Sequence, residues 1–464
     1  MSLRLFLRLT LAIFILSSTC LYAQIPKSVK NTIWIQQGYG RVLEIEDSTY
    51  LYSNYNKYQC SEFVQGRFDG RFKIIKNDEN QLTLNPGGIV DYRFEKTNKF
   101  PKNCLEKRSE NDNSFELNFK SFWYTFNSNY AFFKERELDW QQVYYNYLPK
   151  VRKVKTNLEF ALILQEVIEK FNDGHIKMEI PDSIFKNHSN PRPEESPISK
   201  DQILSHIETK YLKESSSYNN GVIRWGILKN SNIGYIGITD MNDFAHYIPD
   251  QFQNTNKFDS IYNLKKSSVE PLELFQDEIK GVNWIMKRVL RDLNRADPII
   301  LDLRFNSGGY ETVALELLSY FVSEEKEVIS IKVKTKHGFT PVQKISLTPQ
   351  INKSKKIYLL LSPATASAAE VFALASLSYS NIKIIGSRSS GIFSEILWKQ
   401  LPNGWKYSLS NEVYMSYKNK TYEGKGIPVD FELDYPTERS DFYKSFFSNN
   451  RFFDLAIEKV ISLN

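Results

Sequence analysis

Apolar and polar positions change rhythm along the chain. Between residues 33 and 84, short β-like runs are divided by turn residues: Ile33-Trp34-Ile35, Arg41 to Ile45, Tyr50-Leu51-Tyr52, Phe72 to Ile75 and Leu82-Thr83-Leu84. Gly38, Gly40, Asn77-Asp78 and Pro86-Gly87-Gly88 punctuate them, which predicts an N-terminal all-β accessory domain over residues 24–107, a small barrel or sandwich. The rhythm then turns helical from Glu116 to Phe171. Thr156 and Glu159 form a capping box, and Leu158, Ala161, Leu162 and Ile168 follow as an apolar stripe, so residues 115–180 read as a helical subdomain. Residues 181–220 are polar, with Pro191, Pro193, Pro197 and the run Ser215 to Ser217, and read as a linker or flap. From Val222 onward, strand and helix patterns alternate through Ile233–Ile236, Trp284–Leu293, Ile299–Leu303, Glu311–Phe321, Ile357–Leu361, Glu370–Leu377 and Ile382–Ile385. Such alternation predicts an α/β core with parallel strands over residues 221–435. Asp250 to Leu272 reads as a charged surface insertion, and residues 436–464 as a C-terminal helical segment.

Composition narrows the class. The 464 residues are too many for one ordinary core, and 41% hydrophobic with 25% charged content is that of a soluble globular protein. A net charge of +6 spread along this length implies no nucleic-acid partner. Residues 1–23 read as a signal peptide: Arg4 and Arg8 lead an apolar core from Leu9 to Leu16, with cleavage expected before Gln24. Export to the periplasm or outside the cell is the expectation. Cys20 offers a lipoprotein alternative, the one route by which a membrane enters. Cys60 and Cys104 then remain as one possible disulfide. No zinc pattern, Walker loop or dinucleotide fingerprint is present, so no cofactor and no metal is expected. The missing G-x-S-x-G elbow argues against an ordinary α/β-hydrolase esterase.

Candidate chemistry concentrates after the run Ile357 to Leu361. Ser362-Pro363 breaks that run, and Ala364-Thr365-Ala366-Ser367-Ala368-Ala369-Glu370 leads into an apolar helix. A hydroxyl at such a turn meets unpaired N–H groups and the positive end of a helix dipole, where developing negative charge is best served. The bland reading of Ser367 is a helix cap. Asn306-Ser307-Gly308-Gly309, after the strand Pro298 to Leu303, opens backbone N–H groups to close approach.

Four stretches in chain order, Phe171–His175 (FNDGH), Pro298–Gly309 (PIILDLRFNSGG), Ser362–Glu370 (SPATASAAE) and Thr421–Asp430 (TYEGKGIPVD), resemble the protease domain of the tail-specific, carboxyl-terminal processing serine peptidase family. The likeness runs from Phe115 to Leu433 and implies a crotonase- and Clp-like core acting on a peptide or protein substrate. It makes Ser367 the nucleophile, three residues before the acidic Glu370, and the backbone N–H groups of Gly308 and Ala368 the oxyanion donors. The processing branch pairs its serine with a lysine in a G-K-G turn, but here that turn, Gly386 to Phe393, holds Ile392 at the lysine position. The tricorn-like branch uses a histidine base, an upstream serine and a late glutamate. His175 and Glu423 fall where the base and the glutamate lie, while Gly174 stands where the serine would be. His188, His206, His246 and His337 lack comparable context. Family members often carry a PDZ module near residues 181–220, and this stretch is too short for one. Arg388, Lys399 and Lys406 read as exposed cations without a role. The alternative of another class is a binding protein on the same fold. The retinoid-binding proteins of the photoreceptor matrix resemble this domain, and the missing hydroxyl at Gly174 speaks for that alternative.

Overall fold

The computed structural model describes residues 25–105, 114–185, 198–448 and 451–464. The expected signal peptide and Cys20 lie outside the described residues, as do residues 186–197 of the expected linker.

A seven-stranded sheet positions everything else. Its order is Phe431–Glu432, Ile382–Gly386, Ile357–Leu361, Ile299–Asp302, Gly234–Ile238, Ile223–Leu228 and Leu212–Tyr218. Pairing is parallel from Gly234–Ile238 to Phe431–Glu432 and antiparallel across the last three strands. The central runs IYLLL, IILD and GYIGI are buried at every position, as strands covered on both faces must be. Their side chains sort by the period of two: Ile236, Leu301, Leu359 and Ile384 join one core, and Tyr235, Ile300, Tyr358 and Ile385 join the other. The first face is covered by the helices Pro271–Asp292, Glu311–Ser319 and Ala368–Ser376.

The second face corrects the expected linker. Residues 200–218 are not a loose connection: Lys200–Tyr211 is a helix and Leu212–Tyr218 is the edge strand of the main sheet. Ile203, Leu204, Ile207 and Tyr211 make a narrow buried stripe, and Ser199 with Gln202 forms a capping box at its start. The C-terminal helix Leu455–Ser462 completes this layer through Ala456, Ile457 and Val460. Asp454, capping that helix, and Asp302, ending a core strand, both bind the Arg304 guanidinium at 2.7 and 2.6 Å with no exposed side-chain surface. The stretch Asp250 to Leu272 is likewise more than a surface insertion, since Phe258 and Tyr262 of its helix Phe258–Ser268 pack on Ala245 and Ile248.

The N-terminal region forms a seven-stranded antiparallel sheet, order Cys60–Arg67, Thr49–Tyr55, Arg41–Glu46, Thr32–Gln36, Tyr92–Thr97, Gln81–Asn85 and Lys73–Asn77. Two of these strands, Cys60–Arg67 and Tyr92–Thr97, have no counterpart in the sequence reading. Cys60 and Cys104 are disulfide-bonded, with Cα atoms 5.0 Å apart and a sequence separation of 44. Lys399, expected at the surface, is buried and joins this sheet to the core. Its ammonium donates to the carbonyls of Tyr39 and Gly40 and to Asn54 Oδ1, and burial pushes it well below the ordinary lysine range.

The helices Phe115–Asn129, Trp140–Val151 and Asn157–Glu169 form the helical region. Their aromatic side chains interlock: Phe126, Trp140 and Phe171 have ring centroids 4.8 to 5.4 Å apart. The last helix delivers the loop Asn172 to His175 to the core, where Met178–Glu179 pairs with Lys406–Ser410.

Candidate active site

Ser367 ends the turn between the strand Ile357–Leu361 and the helix Ala368–Ser376, at φ 56° and ψ −126°. Positive φ in a residue with a Cβ is strained, and such strain persists only where surroundings over-determine it. Here they do. The Ser367 N–H donates to the Ile392 carbonyl at 3.0 Å, and the Ser367 carbonyl accepts from Glu370 and Val371 at 2.8 and 3.0 Å. Upstream, the Ser362 hydroxyl donates to the Arg304 carbonyl at 2.6 Å, and the Thr365 hydroxyl to the Leu303 carbonyl at 2.9 Å. The Ser367 hydroxyl makes no capping hydrogen bond, which removes the bland reading of this residue.

The double glycine lies against the serine. A Cβ on Gly308 would stand 2.6 Å from the Ser367 Cβ, and one on Gly309 would stand 2.6 Å from the Met241 carbonyl carbon, so neither position admits a side chain. The two expected oxyanion donors differ. Ala368 opens its helix, and among the described residues its N–H has no hydrogen-bond acceptor, as is ordinary in a first turn. The Gly308 N–H is engaged, donating to Asn306 Oδ1 at 2.9 Å.

His175 is buried. Its N–H donates to Asp173 Oδ1 at 3.0 Å, its carbonyl accepts from the Ser408 hydroxyl at 2.6 Å, and the Ser394 backbone faces its ring. Nδ1 is buried without a hydrogen-bond partner. Burial holds the imidazole below its ordinary 6.5, against the opposing pull of the Asp173 carboxylate. Among the described residues no hydrogen bond joins His175 to Ser367. What links their neighbourhoods is Ile392. Its carbonyl accepts from Ser367, and its Cδ1 would stand 2.6 Å from a Cβ on Gly174.

Glu423 does not meet His175. Oε1 accepts from Arg136 Nη2 at 3.1 Å, and Oε2 accepts from the Phe393 N–H at 3.0 Å. Burial and the nearby Asp173 carboxylate push Glu423 up to about 8, against the pull of the Phe393 N–H and Arg136. Sequence reasoning missed Arg136, which no motif marks. Its guanidinium donates to the Asn172 carbonyl at 2.5 Å and to the Gly391 carbonyl at 3.4 Å as well as to Glu423, so it staples the histidine loop, the Ile392 turn and the late glutamate together. Sequence reasoning also left Glu370 without a task. Its buried carboxylate accepts from the Ser389 hydroxyl, the Gly391 N–H at 2.7 Å and the Ile392 N–H at 2.8 Å. Burial outweighs these donors and raises it to about 7. The acidic residue after the serine therefore fixes the turn that faces the serine. Among the described residues no His, Cys, Asp and Glu cluster has metal-ligand geometry.

The fold defines the class: a crotonase- and Clp-like α/β core, with an all-β domain and a helical region attached. Residues 232–433 match the model of peptidase family S41, and residues 111–169 match the tricorn protease C1 domain. Over these stretches the chain is similar to the tail-specific, S41 family of peptidases. It is 28% identical over 145 residues to a "Probable CtpA-like serine protease" of Staphylococcus saprophyticus, and 27% identical over 142 residues to one of Staphylococcus aureus. Each match covers 31% of this chain and spans about 28% of the relative's own length. In fold it is similar to the crystal structure of a candidate peptidase from Parabacteroides merdae, with a TM-score of 0.54 and 18% identity over 77% of this chain and 97% of that one.

Proposed function

We propose that this protein is an exported serine peptidase that hydrolyses peptide bonds of peptides or protein tails through Ser367, with His175 as general base. The observation that carries the reading is the Ser367 hydroxyl, held at positive φ on a helix N-terminus, spared from capping and backed by Gly308. Chemistry then follows from roles. His175 takes the hydroxyl proton as Oγ attacks the carbonyl carbon, and the resulting oxyanion draws on the Ala368 N–H. The same proton passes to the leaving amine as the C–N bond breaks, and water, deprotonated by His175, releases the acyl group. Gly308 joins as second donor once its N–H leaves Asn306 Oδ1. His175 and Ser367 tighten into hydrogen-bond range on substrate binding, as catalytic pairs that are loose without substrate do. Asp173 sits on the histidine's own loop and stabilises the imidazolium. Glu423 acts one step back, as a positioning residue through Arg136. Export rests on the pattern of residues 1–23.

A fluorophosphonate probe tests the reading. The wild-type protein becomes covalently labelled, and Ser367→Ala does not. The binding-protein alternative is favoured by the engaged Gly308 N–H and the absent hydroxyl at Gly174. A wild-type chain that neither labels nor cleaves any peptide in a library establishes that alternative instead.

A further inference from the structure

A cleft of about 670 Å³ opens between the β domain and the core, and neither Ser367 nor His175 lines it. Three segments build it. The β domain supplies the loop Tyr55 to Lys57 and the start of the helix Lys102–Leu105, the helix Phe115–Asn129 supplies Tyr124, and the core supplies the hairpin tip around Lys336-His337. Two features fix its shape. At Gly38, φ 81°, the β domain meets the core strand Lys326–Thr335: a Cβ there would stand 2.5 Å from Val333 Cγ1 and 2.8 Å from the Lys334 carbonyl oxygen, so no side chain fits. The Cys60–Cys104 bridge ties the helix Lys102–Leu105 to the neighbouring strand, and Asn103 Nδ2 donates to the Asn56 and Lys57 carbonyls at 2.9 and 2.7 Å. The backbone that carries Lys57 and Lys102 is thereby held. Hydrogen bonds also join the cleft to the candidate site. The Gly38 carbonyl accepts from Asn411 Nδ2 at 3.1 Å, and the Asn411 N–H donates at 3.1 Å to Ser394 Oγ, on the residue whose backbone faces the His175 ring.

The lining is cationic and apolar at once. Lys57, Lys102, Lys336 and His337 stand against one carboxylate, Glu95, which already accepts from Gln37 Nε2 at 2.6 Å. Lys57 and Lys336 are exposed and, among the described residues, make no ion pair. Phe339 on the hairpin is 42% exposed, and Tyr55, Tyr124, Pro101 and Pro341 add further apolar faces. A recess of this size takes a ligand of small-molecule or short-peptide dimensions. The free ammoniums call for anions, and the aromatic and proline faces for an apolar body between them. Among the described residues no arginine lines the cleft, and Lys57 and Lys336 belong to different segments, so the bidentate clamp that best suits a phosphate is missing. Carboxylates spaced along a peptide match lysines spaced along a cleft.

We propose that this cleft is a docking site for an acidic peptide segment with apolar residues between its carboxylates. The inference goes beyond the peptidase reading and does not need it, because binding is read in the full chain carrying Ser367→Ala. Short fluorescein-labelled peptides with glutamates separated by leucine and serine are titrated by fluorescence anisotropy, beside counterparts with glutamine for each glutamate. The acidic peptide is expected to bind about tenfold more tightly in low salt, with the ratio shrinking as added salt screens the exposed charges. Lys57→Gln and Lys336→Gln each lower the ratio, and the double change brings it towards one. Lys353→Gln, at an exposed lysine outside the cleft, leaves it unchanged. Phe339→Ala weakens both peptides alike and keeps the ratio. A ratio near one before any lysine is changed overturns the docking site, as does a preference that survives the double change or falls equally with Lys353→Gln. An oligothymidylate that displaces the acidic peptide as well as unlabelled peptide does reveals a surface for nucleic acid and overturns the peptide assignment. Fluorophosphonate labelling of wild type reads Ser367 alone, so failure of one reading is told apart from failure of the other.

Discussion

Glu423 offers the sharpest test of how the site is held. Its carboxyl is 3.1 Å from Arg136 Nη2, the two side chains being 1% and 8% exposed, and it also accepts the Phe393 N–H. Glu423→Ala strips an acceptor from a buried guanidinium and from a buried backbone donor. Loss of that kind costs about 3–5 kcal/mol, whereas Glu423→Gln keeps one acceptor oxygen and costs about 1–3 kcal/mol. Urea unfolding followed by tryptophan fluorescence reads both. The pH dependence decides which force rules the group. Its folded-state value is raised from 4.5 to about 8, so its contribution to stability is full below pH 4.5 and is lost as pH rises through about 8. A neutral glutamine does not titrate. The cost of Glu423→Gln is therefore expected to be largest in acid and to shrink as pH rises towards about 8. A cost that instead stays flat between pH about 5 and 8 means that Arg136 outweighs burial and Asp173, and the reasoning fails.

Three further outcomes are expected. Burial holds His175 below 6.5, so the acid limb of kcat/KM should fall below that pH, and a limb at or above it refutes the burial argument. Asp454→Ala should lower stability by about 3–5 kcal/mol in denaturant titrations, because Arg304 is fully buried and loses both of its bonds to that carboxylate; an unchanged midpoint refutes the latch. Gly174→Ser should cost about 1 kcal/mol, the low end for overpacking, since Ile392 Cδ1 is a movable side-chain end; in an Ile392→Val background, which lacks that methyl, the cost should vanish, and an equal cost in both backgrounds refutes the contact.

Much of the core was legible because its strands are buried on both faces and so read as unbroken apolar runs, Ile357 to Leu361 above all. The serine turn and the double glycine were legible because backbone constraints leave few residue choices there. Elements hidden in the sequence are the half-polar ones. Lys200–Tyr211 buries one narrow stripe under a polar majority, and Cys60–Arg67 is an edge strand without a fully buried residue, so neither shows an apolar run. Tyr92–Thr97 buries only Tyr92 and Phe94. Within the site, what was hidden is pairing over distance. Glu423 lies 287 positions from Arg136, a separation across which a sequence shows residues but not partners.

Two departures from the family pattern, Ile392 for the lysine and Gly174 for the relay hydroxyl, are a single packing arrangement. Glu370 and Ser367 fix the Ile392 backbone from both sides, through its N–H and its carbonyl. That leaves the side chain in the space a Cβ at residue 174 would claim. A serine at 174 therefore displaces the end of the Ile392 side chain, and a glycine there leaves it in place. The same contact sets the face of the histidine loop against the serine turn. With no hydroxyl beside it, His175 is left with the Asp173 carboxylate two residues upstream as its nearest charge of opposite sign. Orientation of the imidazole then passes to the loop itself, held by Arg136 at Asn172 and by Ser408 at the His175 carbonyl. Ser408→Ala should therefore act on turnover through the histidine's position, lowering kcat while the serine turn keeps its geometry.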